Sequence, residues 1–193
     1  MIMPNWCITD YRIEGSEESL KKINDALLNH SVAENSSDTW EGNILIALGY
    51  TEEDLRSPND HYYLRGFVSY YEPPESFEYP LSLSCEEAWD VTDFRKLLER
   101  KLPDVKVYFT AEEPGCEYYV TNDEEGIYFP DRYLVDANIN NDWYSEYFET
   151  KEEALEYISQ ISDCKTEEDI EKFNDEQVDY DEYITIHEFK VIE

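Results

Sequence analysis

The order in which apolar patterns follow one another restricts the fold of this chain more than any other feature. Residues that alternate between two faces predict strands, and residues that repeat at a spacing of three to four predict helices. Strands are predicted at 5–13, 62–71, 79–85 and 104–110. Helices are predicted at 16–30, 40–48 and 92–102. The order of these elements is compatible with an α+β fold, which is the fold class that we expect.

The first strand and the helix of residues 92–102 have the clearest patterns. Cys7, Thr9, Tyr11 and Ile13 are expected on one face of the strand, and Trp6, Ile8, Asp10 and Arg12 on the other. Phe94, Leu97, Leu98 and Leu102 form the apolar stripe of the helix, for which Asp90 or Thr92 is the expected N-cap. Gly66, inside the second strand, is expected to mark a β-bulge.

Residues beyond 121 continue with further strands and two helices. Strands are predicted at 127–129, 133–137, 143–148 and 183–192. Thr150 with Glu153, and Thr166 with Asp169, resemble capping boxes, so a helix should begin after each threonine. The alternation in the last strand slips by one residue near His187, which predicts a bulge there.

Length and charge set the broad class. The 193 residues suit one domain. The 47 acidic and 15 basic side chains give a net charge of −32, which opposes binding to nucleic acid or to an anionic membrane. The 29 Trp, Tyr and Phe residues nevertheless indicate a folded chain rather than a disordered one.

The cysteine spacing and the N-terminal residues bear on the cellular compartment of the protein. The four cysteines fit neither a metal knuckle nor a small disulfide framework, so free thiols in a reducing compartment are expected. The first ten residues, MIMPNWCITD, have the pattern of neither a signal peptide nor a membrane span. We therefore expect a cytoplasmic protein.

The sequence contains none of the common catalytic or cofactor motifs. It lacks a nucleotide-binding glycine loop, a zinc-protease helix and a serine-hydrolase elbow, and its three histidines are far apart. Asn122 to Gly126 is similar to a calcium loop only in composition, because Arg132 stands where the last glutamate ligand belongs. We expect no catalytic residues, no cofactor and no metal site, so the chain is not expected to be an enzyme.

The remaining indication of function is that acidic and aromatic residues alternate in the C-terminal half. Residues 1–100 hold 20 acidic and 8 basic side chains, whereas residues 101–193 hold 27 and 7. The candidate interaction residues are Glu117, Tyr118, Tyr119, Asp142, Trp143, Tyr144, Asp179, Tyr180 and Asp181. Aromatic rings supply contact area and carboxylates supply electrostatic selection, a combination that suits a basic protein surface.

Two sequence blocks resemble a known family. Met3-Pro4-Asn5-Trp6-Cys7, together with the stretch from Ala88-Trp89 to the Glu113-Pro114-Gly115 turn, resembles the YubB-like ferredoxin-like domain family of bacterial plasmids and phages. The resemblance covers residues 3–121, which implies a domain with residues 1–121 as its core and residues 122–193 as an acidic C-terminal elaboration. It implies a β-α-β-β-α-β core with an antiparallel sheet and an origin in a mobile genetic element, and it implies no iron-sulfur cluster and no catalytic residue.

These observations predict a non-enzymatic acidic interaction protein that binds a basic protein. One alternative is a DNA mimic that blocks a nucleic-acid-binding protein, which requires the carboxylates to cluster on one face. The other alternative is an enzyme of unrecognised type, which requires a deep pocket with convergent polar groups. The sequence leaves the identity of the partner and the oligomeric state open.

Overall fold

The chain forms two compact units, residues 1–118 and residues 119–193, in a computed structural model. The structure describes residues 6–30, 40–55, 62–88, 91, 93–176 and 182–193. The boundary lies three residues before the sequence-based division at 121/122. That the two units form one domain stays a prediction.

Four strands and four α-helices lie in the described residues of the first unit. In chain order these are β1 (Trp6–Glu14), α1 (Glu17–His30), α2 (Glu41–Ala47), α3 (Glu52–Leu55), β2 (Gly66–Tyr71), β3 (Leu81–Ala88), α4 (Phe94–Lys101) and β4 (Lys106–Glu113). The strands lie in the order β2-β3-β1-β4, and each neighbouring pair is antiparallel. This confirms the α+β fold with a ferredoxin-like core, in which α2 and α3 are inserted between α1 and β2.

One face of the first-unit sheet is packed against helices, as the alternation predicts. Cys7, Thr9, Tyr11 and Ile13 of β1 are all fully buried. Tyr11 packs edge to face against Phe94 of α4, with ring centroids 5.9 Å apart. The opposite face of β1 carries Trp6, Ile8, Asp10 and Arg12, and its first two residues are exposed.

Gly66 has a different role from the predicted bulge. The register between β2 and β3 shifts between Val68 and Tyr70, so the bulge lies two to three residues later. A Cβ atom at Gly66 would lie 2.6 Å from Oε2 of Glu41 and 2.7 Å from Cγ of Glu87. The glycine is therefore required by close approach of two side chains, a tertiary effect that the local pattern does not contain.

Helix α4 confirms the predicted apolar stripe but not the predicted cap. Phe94, Leu97 and Leu98 are fully buried. Asp93 occupies the N-cap position, and the expected caps Asp90 and Thr92 lie outside the described residues. Arg95 is also buried, with its guanidinium carbon 5.0 Å from the centre of the Phe109 ring.

The described part of the second unit contains a three-stranded sheet, a two-strand parallel pair and two helices. In chain order the elements are β5 (Tyr118–Thr121), β6 (Tyr133–Ile139), β7 (Asp142–Phe148), α5 (Lys151–Ile161), α6 (Glu167–Glu176), β8 (Tyr183–Glu188) and β9 (Lys190–Val191). The sheet order is β7-β6-β8, with both pairs antiparallel. Val135, Ala137 and Ile139 form the core on one face with Ala154 and Ile158 of α5.

Both predicted helix starts in the second unit are confirmed. The Thr150 side chain accepts a hydrogen bond from the Glu153 backbone, and Glu153 accepts one from the Thr150 backbone, so the capping box is complete. Thr166 and Asp169 exchange the same pair of bonds before α6. These signals are readable from sequence because both partners lie within one turn.

Two strand predictions in the second unit are wrong. Residues 127–129 form no strand, because their backbone N–H groups donate to the Asp123 carboxylate instead of to a neighbouring strand. The slip near His187 is not a bulge. The pairing of β8 with β6 ends at Glu188, and Lys190 of β9 then pairs in parallel with Val120 of β5.

None of the helices in the described part of the chain combines the length and the apolar character needed to cross a bilayer.

Candidate functional site

Strand β7 carries three of the residues that the sequence selected. Asp142, Trp143 and Tyr144 lie at its start, directly after a two-residue turn in which Asn140 and Asn141 both have positive φ. Such a turn matches the twist of the strands that it joins. Because β7 is at the edge of the sheet, its side chains are more exposed than those of β6.

Alternation places these three residues on two different faces. Trp143 points away from the helices and is 72% exposed, which is unusual for the largest apolar side chain. Tyr144 is half-buried and packs against the core formed with α5 and α6. Asp142 is exposed beside the turn. Of the three, Trp143 is therefore the residue that offers a large apolar surface to a partner.

Trp143 lies beside a tyrosine and a carboxylate on the same side of the sheet. Its ring meets the Tyr183 ring edge to face, with centroids 6.1 Å apart. The Tyr183 hydroxyl donates a 3.2 Å hydrogen bond to Oδ2 of Asp136 on the central strand β6. We call these three residues, Trp143, Tyr183 and Asp136, the Trp143 face. Sequence reasoning missed Asp136 and Tyr183, because only the pairing of β6 with both neighbours brings them to Trp143.

The surroundings of Tyr183 favour its neutral form. Burial, and then the negative charge of Asp136, raise the pKa of Tyr183 above its ordinary value. The tyrosine therefore stays neutral near pH 7 and continues to donate to Asp136. Asp136 retains further acceptor capacity, because its two carboxyl oxygens offer several lone-pair sites and the Tyr183 hydroxyl uses one of them.

The other selected residues lie elsewhere. Tyr119 is buried, stacks on His187 with centroids 4.4 Å apart and meets the Phe189 ring edge to face, so its role is in packing. Glu117 is exposed in a left-handed conformation and Tyr118 is half-buried. Asp179, Tyr180 and Asp181 lie outside the described residues.

The calcium-like segment is a turn organised by Asp123. Its carboxylate accepts hydrogen bonds from the backbone N–H groups of residues 127, 128 and 129. Burial opposes ionisation of this carboxyl, but the three donors and the charge of Arg132 outweigh it and lower its pKa. Arg132 also donates to the Asp123 carbonyl. The Asp123 carboxylate and carbonyl oxygens are thus engaged by the protein itself.

A buried polar group in the first unit was also missed by sequence reasoning. Glu41 and Glu87 are fully buried, and the Tyr11 hydroxyl lies 2.9 and 3.0 Å from the two carboxylate oxygens of Glu87. Burial, and next the Glu87 carboxylate, raise the pKa of Tyr11 well above its ordinary value. Both carboxylates are inaccessible to solvent, so a substrate cannot reach them.

No group of three or more His, Cys, Asp or Glu side chains suited to a metal ion occurs within the described ranges. No disulfide joins the four cysteines, all of which lie in the described ranges, and Cys116 is the exposed one. Cys7 and Cys85 lie on the buried face of the first-unit sheet, where burial raises the pKa of Cys85 well above its ordinary value. A thiol in that condition is a poor nucleophile.

Comparison of the chain with protein-family models, with curated proteins and with solved structures gives no match. The resemblance to the YubB-like family therefore stays a prediction. Of its residues, Met3, Pro4, Asn5 and Trp89 lie outside the described part of the chain.

Proposed function

We propose that this protein is a non-enzymatic acidic interaction protein, and that the Trp143 face binds a basic protein surface. The observation that carries the proposal is an indole that is 72% exposed beside a tyrosine whose hydroxyl is hydrogen-bonded to a carboxylate. Tryptophan is enriched at protein interfaces, where it supplies a large apolar contact area together with a polar N–H group.

The chemistry of this face favours a cationic side chain. The face of an indole attracts an ammonium or guanidinium group, and tryptophan is the best of the aromatic rings in this respect. Asp136 supplies a carboxylate on the central strand, and Glu182 supplies a second one close to the turn, where it accepts a hydrogen bond from the Asn140 backbone. An arginine can stack on Trp143 and direct its N–H groups toward such oxygens.

The overall charge supports the same partner class. A net charge of −32 attracts a basic protein from a distance and raises its association rate, while the aromatic contact slows dissociation of the complex. The same charge repels phosphate, which argues against nucleic acid as the ligand. The plasmid or phage origin implied by the sequence resemblance, and a cytoplasmic location, belong to this proposal as expectations.

Binding of an arginine-rich peptide, measured by calorimetry at low and at moderate ionic strength, tests the proposal. We expect Trp143→Ala to weaken binding about tenfold, which corresponds to the loss of about 1.4 kcal/mol at a central contact. Asp136→Asn keeps an acceptor for Tyr183 but removes the charge, so it should weaken binding several-fold and flatten the salt dependence. Tyr79→Ala is the matched control, because Tyr79 is 70% exposed in the other unit.

Equal affinity of the Trp143→Ala variant and the parent protein would overturn the proposal. So would binding that does not weaken with added salt, because a site built on carboxylates must respond to screening.

A further inference from the structure

A second surface, in the first unit, has its own pattern of exposed apolar and acidic side chains. Ile8 lies on β1, a central strand of the sheet, yet its side chain is 51% exposed. Trp6, two residues earlier on the same face, is 42% exposed and meets the Phe67 ring edge to face at 5.4 Å. An apolar patch at the centre of a sheet is unusual in water and marks a contact site.

Carboxylates flank this patch on both sides. Ile8 is paired with Glu86 of β3 and with Glu112 of β4, so the two glutamates lie on either side of it in the same row. Both are half-exposed. We call Trp6, Ile8, Phe67, Glu86 and Glu112 the Ile8 face.

We infer that the Ile8 face binds the apolar side of a cationic amphipathic helix from another protein. The Ile8 face shares no residue with the Trp143 face, and the inference goes beyond the proposed function because it does not depend on Trp143.

The dimensions of the Ile8 face suit a helix that lies along β1. Glu86 and Glu112 stand on the two strands that flank β1, so their backbones are about 9.6 Å apart, which is close to the 10 Å diameter of a helix. Trp6 and Ile8 are two residues apart on a strand, about 6.6 Å, and apolar residues four apart on a helix are separated by about 6 Å. Apolar side chains of the helix thus meet both residues.

The carboxylates select the charge of the partner. Lysine or arginine side chains on the flanks of such a helix reach Glu86 on one side and Glu112 on the other, while their methylene groups cover apolar surface. A second copy of this chain is disfavoured, because a symmetric contact would bring the same glutamates together. Single-stranded nucleic acid can stack on aromatic residues of a similar sheet, but here the row of carboxylates repels its phosphates.

The test uses a synthetic leucine–lysine peptide of about 14 residues, four helical turns, which forms an apolar stripe with lysines on both sides. The matched control peptide has the same composition, rearranged so that no stripe forms. Binding is followed by the isoleucine methyl signals of the intact protein. We expect the Ile8 signal to shift with the striped peptide, while that of Ile127, which is 53% exposed in the other unit, stays unchanged.

Variants separate the Ile8 face from general attraction to an acidic protein. Ile8→Glu should weaken binding of the striped peptide at least about tenfold, and because Ile8 is exposed the fold should survive, as circular dichroism can verify. Glu86→Gln should weaken binding of the striped peptide a few-fold, and only at low salt. Trp143→Ala should leave the titration of the Ile8 signal unchanged, whether or not the peptide also contacts the Trp143 face, so failure here and failure of the Trp143 proposal are distinguishable.

Equal shifts of Ile8 and Ile127, or equal binding of the rearranged peptide, would overturn the inference by showing non-specific attraction. A dimer in sedimentation that Ile8→Glu dissolves would overturn it as well, because the occupant would then be a second copy.

Discussion

Some buried polar residues in this protein carry a desolvation cost that contacts in the surrounding fold must offset. Two glutamates are fully buried beside Tyr11, although a carboxylate in a protein interior is stable only when it is hydrogen-bonded or protonated. The Tyr11 hydroxyl contacts both oxygens of Glu87. This arrangement exists only because Gly66 leaves room for the side chains of Glu41 and Glu87.

We expect Gly66→Ala to destabilise the protein by about 1–3 kcal/mol, the usual cost of overpacking. The added methyl group would meet Glu41, Glu87 and the Glu86 carbonyl at 3.0 Å or less, and the carbonyl cannot rotate away. Urea unfolding measures the change. Gly115→Ala is the matched control, because a Cβ there has no neighbour within 4 Å. Equal midpoints for the two variants would contradict the steric explanation.

At the level of elements, an aspartate joins the start of helix α1 to the segment that leads into β4. The Asp104 carboxylate accepts hydrogen bonds from the Ser16 backbone at 3.1 Å and from the Ser19 hydroxyl at 2.9 Å. Hydrogen bonds from Ser16 and then Ser19 lower the pKa of Asp104 to about 2. The negative charge also suits the N-terminal end of a helix.

This depressed pKa makes a prediction about acid stability. Because the folded-state pKa lies below the unfolded value of about 3.9, Asp104 stabilises the fold fully above about pH 5 and loses that effect as the pH falls through about 2. Asp104→Asn should therefore be less stable than the parent at pH 7, and the difference should shrink toward pH 2. Thermal unfolding at several pH values measures it.

The control for this prediction is Asp163→Asn, which removes one negative charge from an exposed position in the other unit. A stability difference between Asp104→Asn and the parent that stays constant from pH 7 to pH 2 would show that the carboxylate charge is not the cause.

Elements were predictable from sequence where their signals are local. The capping box of Thr150 and Glu153 and the alternation of β1 need only neighbouring residues, and both predictions are confirmed. Gly66 and the register break after Glu188 depend on residues far away in sequence, so local patterns misassigned them. The same distinction applies to the candidate site. Trp143 could be selected from sequence, but Asp136 could not, because the pairing of β6 with β7 decides that it lies near Trp143.

At the level of the whole molecule, the charge is the dominant property. Acidic side chains outnumber basic ones by 47 to 15, so repulsion between carboxylates acts throughout the folded chain. The ion pairs of α1, between Lys21 and Glu17 and between Lys22 and Glu18, are exposed, and pairs of that kind contribute little. The fold is therefore held by its apolar cores against a net repulsive field.

This balance predicts that added sodium chloride stabilises the protein. Raising the salt from about 0.01 M to about 0.1 M shortens the screening length from about 30 Å to about 10 Å, which weakens repulsion between distant carboxylates more than attraction within close pairs. The urea midpoint at pH 7 should rise over this range. As a matched control, Lys21→Gln removes one exposed pair and makes the net charge more negative, so it should lower the midpoint mainly at low salt. A midpoint that falls as salt is added would mean that attractive ion pairs outweigh the repulsion, and that the acidic surface contributes to the stability of the fold instead of opposing it.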